Sequence, residues 1–117
     1  MTDGALEIVE QGLGIAQFRA RVLAEDAANA RSPGFVARDI APVVEQTDDG
    51  MRFAAAVREA AGAGESGSIE YAMGATAENS LRFRALADQE RAMLREFRSV
   101  AEGALSLIHI SEPTRQA

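Results

Sequence analysis

The stretch Ala27-Ala28-Asn29-Ala30-Arg31-Ser32-Pro33-Gly34-Phe35 decides how this chain is divided. Pro33 cannot continue a helix and biases Ser32 toward extended backbone. With Gly34 behind it, Ser32-Pro33-Gly34-Phe35 fits a type II turn, with proline second and glycine third, where positive φ is needed. Asn29 suits a helix end, and Arg31 carries the charge that a helix C-terminus favours. A helix therefore precedes this block, and a different arrangement follows it.

Upstream, Leu6, Val9, Leu13, Ala16, Ala20, Leu23, Ala27 and Ala30 recur at steps of three and four, the seam of a heptad helix over about Ala5 to Ala30. Ile8, Ile15 and Val22 widen the apolar face. Gly12 and Gly14 each cost roughly 1 kcal/mol against Ala, so this helix depends on a surface to pack against. Downstream, Phe35 to Ile40 reads as short and extended, and Pro42 interrupts it. Asp48 or Asp49 is expected to cap a short helix through Ala61, with Phe53 and Val57 on one face. Gly62 to Ser68 reads as a flexible loop.

Ser68 is expected to cap the strongest helix, Ile69 to Gly103, with Gly103 as its C-cap. Its seam runs through Ala72, Thr76, Asn79, Phe83, Leu86, Glu90, Met93, Phe97 and Val100. The chain thus divides into an N-terminal helix and turn (1–35), an irregular middle (36–68), a C-terminal helix (69–105) and a tail (106–117). The tail breaks with the Ala- and Arg-rich character before it. Its Leu107-Ile108-His109-Ile110-Ser111-Glu112-Pro113-Thr114-Arg115 resembles translated sequencing-adaptor read-through, so it is expected to be non-native and carries no functional weight here. The expected fold is mostly α, with the long N- and C-terminal helices pairing as a coiled-coil-like core around an irregular middle with a short helix.

Composition narrows the function. A chain of 117 residues allows one domain. Five Phe, one Tyr and no Trp leave an Ala-rich core with little area to bury. All 12 basic residues are Arg and the net charge is −6, which argues against generic nucleic-acid binding and against a polybasic membrane anchor. No apolar run is long enough to cross a bilayer. The first basic residue is Arg19, so no cleavable signal peptide is expected.

Chemistry is sparse as well. With no Cys, disulfides, thiolate metal sites and Cys nucleophiles are excluded. The sole His, His109, lies in the tail. Glu45, Asp48 and Asp49, and Glu65 near Glu70, read as solvated loop and helix-cap residues. Gly62, Gly64 and Gly67 lack the Lys of a phosphate loop. No catalytic, cofactor-binding or metal-ligating residue is expected, no cofactor is implied, and the chain does not read as an enzyme. Periodicity leaves two architectures open: a helical hairpin closing its own core, or a subunit whose seams are completed by neighbours.

One resemblance favours the second. Asn29 with Ser32-Pro33-Gly34-Phe35 resembles the N-terminal motif of the bacterial flagellar rod, hook and filament-junction proteins. Ala37-Arg38-Asp39-Ile40 is similar to the proximal-rod members of that family. So is the run Glu70-Tyr71-Ala72-Met73 through Glu78-Asn79-Ser80-Leu81-Arg82-Phe83 to Leu86. The likeness covers about 70 residues by this reading of the two ends. Asp26 and Ala27 stand where Asn and Ile are more usual. The resemblance implies a structural subunit of the flagellar basal-body rod, exported without a cleaved signal peptide. Its partners would be other rod subunits and the junction of inner-membrane ring and export gate, with self-assembly and neither nucleic acid nor direct membrane insertion. The expected subunit contacts are Leu6, Val9, Leu13, Leu23 and Asn29 on the first helix and Phe83, Leu86, Met93, Phe97 and Val100 on the second, with Ser32, Pro33, Gly34 and Phe35 as the turn between. A cytosolic helical adaptor or regulatory dimer is the alternative.

Overall fold

The computed structural model describes residues 2–60 and 64–110. Among the described residues four elements follow one another: α1 (Thr2–Asn29), β1 (Arg38–Thr47), β2 (Gly50–Glu59) and α2 (Gly64–Ile110). The two strands form an antiparallel hairpin in the register Arg38↔Glu59 through Thr47↔Gly50.

The helix ends as its residues dictate. Asn29 Nδ2 donates to the Glu25 carbonyl at 2.9 Å, and the Ser32 N–H donates to the Asn29 carbonyl at 2.9 Å. The Phe35 N–H then donates to the Ser32 carbonyl at 3.1 Å, with Gly34 at φ +75°. That closes a turn which a side chain at position 34 would strain.

The middle corrects the expected fold. Residues 38–59 form a β-hairpin, not an irregular segment with a short helix. Asp48 and Asp49 are the two residues of its reversal and cap nothing; Gly50, at φ +126°, completes it. Phe53 and Val57 lie on β2 rather than on a helix face. The physical reason is local. Val43, Val44, Phe53 and Val57 favour a pleated surface, and Asp49-Gly50 is a hairpin signal. Pro42 pairs with Ala55 in the register, which a two-stranded sheet tolerates because each strand keeps an open edge.

The expected coiled-coil-like core of paired terminal helices is also corrected. The buried residues are Val9, Ala16, Arg19, Leu23 and Asp26 of α1, then Ala37, Asp39 and Ile40, then Ala72, Ala75 and Asn79 of α2. The core thus sits where α1, the base of the hairpin and the first part of α2 meet. Among the described residues, none of α2 beyond Asn79 is buried. Along that stretch Leu86, Glu90, Met93 and Phe97 are only half-buried beside α1, and Phe83 and Val100 are exposed.

α2 also outruns its expected bounds, starting at Gly64 and passing through Gly103 to Ile110. Of the loop expected over 62–68, residues 64–68 are helical; residues 61–63 and the tail beyond Ile110 lie outside the described residues. Leu86 Cδ1 lies 3.2 Å from where a Cβ on Gly12 would stand, Asn79 bonds Ala16, and Arg19 meets Glu78. Rising numbers in α1 meet falling numbers in α2, so the two helices cross antiparallel. At 47 residues, α2 is about 70 Å long, and the molecule measures 80 × 30 × 15 Å.

Candidate interaction site

At the meeting point of the elements, one carboxylate is held from every side. Asp39, fully buried at the start of β1, takes a bidentate pair from Arg19 of α1: Nε to Oδ1 at 2.8 Å and Nη2 to Oδ2 at 3.0 Å. The Tyr71 hydroxyl of α2 donates to Oδ2 at 2.6 Å, and the Ile40 N–H donates to Oδ1 at 2.7 Å. Arg58 of β2 stands 3.7 Å from Oδ2. Arg19 Nη1 also reaches Glu78 Oε1 at 3.3 Å, and Arg82 bonds the same oxygen at 3.2 Å.

The electrostatics follow from these contacts. Burial is the largest single influence on Asp39 and pushes its carboxyl up. Arg19, Tyr71 and the Ile40 N–H together outweigh it and hold the carboxyl at about 2. The hydrogen bond to Asp39 raises the Arg19 guanidinium further. Burial and the bond to Asp39 both raise the Tyr71 hydroxyl.

Two further bonds tie the layers together. Asn79 Nδ2 donates to the Ala16 carbonyl at 2.8 Å, joining α2 to α1. The Phe53 N–H donates to Gln11 Oε1 at 2.9 Å, joining β2 to α1. The arrangement is a clamp that joins α1, the hairpin and α2. Among the described residues, no group of three or more His, Cys, Asp or Glu could hold a metal, and no helix is long and apolar enough to cross a membrane.

The residues expected at subunit contacts fall into three settings. Val9 and Leu23 are buried within the molecule. Leu6, Leu13, Leu86, Met93 and Phe97 are half-buried. Asn29, Phe83, Val100 and the turn Ser32 to Phe35 are exposed. The clamp brings none of them together. It is built from Arg19, Asp39, Tyr71, Glu78 and Asn79, of which only Asn79 stood on an expected seam. Further out, Leu94, Val100 and Leu105 extend an exposed apolar strip along α2.

A scan against protein-family models and a search of curated proteins found no match to the chain.

Proposed function

We propose that the chain is a structural subunit of the rod of the bacterial flagellar basal body, similar to its proximal subunits. One observation carries this reading. The segments that bear the resemblance, Ala37 to Ile40 and Glu70 to Leu86, are the ones that supply Asp39, Tyr71, Glu78 and Asn79 to the clamp. A part that passes torque needs its helices and hairpin to move as one body, and a buried bidentate pair with an added hydroxyl resists their separation.

The exposed apolar strip on α2 adds support, because a surface of that kind is covered by partners in an assembly. In this reading the partners are other rod subunits and the ring and export-gate junction. The copies self-assemble, and the subunit reaches the periplasmic rod through the flagellar type III export apparatus without a cleaved signal peptide. The reading involves no enzymatic step and no cofactor.

Phe97→Asp tests it, because Phe97 lies well outside the buried core. In a strain whose sole copy carries this change, the chain folds with the helix content of the wild type, fails to enter the rod, and swimming stops. Normal swimming contradicts the proposal. Leu23→Asp also abolishes motility, but by unfolding the chain, since Leu23 is fully buried.

A further inference from the structure

The hairpin has two outer edges, and they are not alike. The Ala60 N–H donates to the Ala37 carbonyl at 2.9 Å, so that pair is bonded across the strands. Bonded and non-bonded pairs alternate along an antiparallel ladder, and the residues of a non-bonded pair point their N–H and C=O groups outward. Counting along the register, Arg38, Ile40, Pro42, Val44 and Gln46 face outward on β1, and Met51, Phe53, Ala55, Val57 and Glu59 face outward on β2.

The edge of β1 is closed over its first half. Asp26 Oδ1 takes the Arg38 N–H at 3.1 Å, and Asp39 Oδ1 takes the Ile40 N–H at 2.7 Å. Pro42, next in the row, has no N–H to offer. On β2, Gln11 Oε1 takes the Phe53 N–H at 2.9 Å. Past Phe53, the N–H groups of Ala55, Val57 and Glu59 have no acceptor among the described residues. Val57 is 61% exposed, and Ala55 and Glu59 are exposed. Such a row is a template for another strand.

We infer that this stretch of β2 pairs antiparallel with the same stretch of a second copy, about a two-fold axis at Val57, giving a four-stranded sheet. Complementarity selects the occupant. Each outward residue presents an N–H and a C=O, so the row matches its own copy after a half-turn. With Val57 opposite Val57, Ala55 of each copy faces Glu59 of the other, and every open donor from Ala55 to Glu59 is used. Ala56 then faces Arg58, so no like charges meet. A register shifted toward the tip calls on the Phe53 N–H, which Gln11 already holds. Centred on Ala55, it also sets Arg52 against Arg58. A shift toward the base runs past Glu59, where β2 ends. The pairing stands on the edge itself and is independent of the rod reading.

Sedimentation velocity and amide exchange of the full chain across a concentration series test it. The wild type dimerises, and exchange at Ala55, Val57 and Glu59 slows about tenfold while exchange at Val44 and Gln46 does not change. Val57→Lys and Val57→Glu, each alone, weaken association about tenfold or more by setting like charges opposite each other. Mixed, those two chains associate, because opposite charges now meet. Ala55→Pro also blocks the edge; Pro42, directly opposite, shows that the hairpin accepts proline at such a position. Val44→Pro, on the edge of β1, leaves association unchanged. A wild type that stays monomeric, a Val57→Lys chain that associates normally, a mixture that does not associate, or a loss with Val44→Pro would each overturn the inference. If Ala55→Pro fails to fold, the mixture still decides, since the Val57 side chain is exposed.

Discussion

Asp39 is the residue on which the architecture turns, and its energetics have a definite sign. Its folded-state carboxyl sits at about 2, below the ordinary 3.8. The fold therefore favours the ionised form. That contribution, about 2 kcal/mol, is complete above pH 4 and is lost as the pH falls through about 2. Asp26 acts in the opposite sense: its carboxyl is raised, so its charge costs stability at neutral pH and the cost lifts on protonation. Asp39→Asn should destabilise the chain by about 3 kcal/mol, because it leaves the Arg19 guanidinium buried without its carboxylate. It should also flatten acid unfolding between pH 4 and 2, as followed by circular dichroism. Tyr71→Phe should cost less, about 1.5 kcal/mol, the worth of one bond to a charged acceptor. Equal stability of Asp39→Asn and wild type at pH 7 would remove the clamp from the account.

None of this was legible in the heptad reading, for a physical reason. The buried stripe of α1 runs through Val9, Ala16, Arg19, Leu23 and Asp26. A search for apolar residues chooses Ala20 and Ala27 instead, one position along. The partners that make Arg19 and Asp26 fit to bury lie 20 and 12 residues away. Local sequence carries no sign of them. Asn79, seen on its seam, was the one hint that this interior is polar.

At the scale of the element, the turn after α1 was readable because proline and glycine act through their own backbone limits. The hairpin was not. Asp48 and Asp49 are good helix caps in isolation, and the Ala-rich run after them has high helix propensity. Pairing with β1 and packing on α1 override both. Gly50→Ala should therefore cost about 1 kcal/mol or more, since φ +126° is closed to alanine. The two glycines of α1 should part company. Gly14 has open space around it, so Gly14→Ala should stabilise by about 1 kcal/mol. Gly12→Ala should gain less, because Leu86 must give way at 3.2 Å. Urea midpoints of the three variants check this ranking.

At the scale of the whole molecule, the outstanding fact is extension. The radius of gyration is 21.7 Å, against about 13 Å for a compact chain of this length. The outer part of α2 is held by its own hydrogen bonds and little else. In hydrogen exchange on the dilute chain, amides of 98–108 should exchange well before those of 71–82, where Tyr71, Ala72, Ala75 and Asn79 are packed. An isolated helix with an exposed apolar strip is what assembly would complete, and the rod reading names the assembly. Its most direct test is mass spectrometry of flagellar basal bodies purified from cells expressing the chain. The account predicts that the chain co-purifies with the rod and disappears from it on Phe97→Asp. Recovery of the chain solely in the soluble cytosolic fraction, with rods complete in its absence, would contradict it.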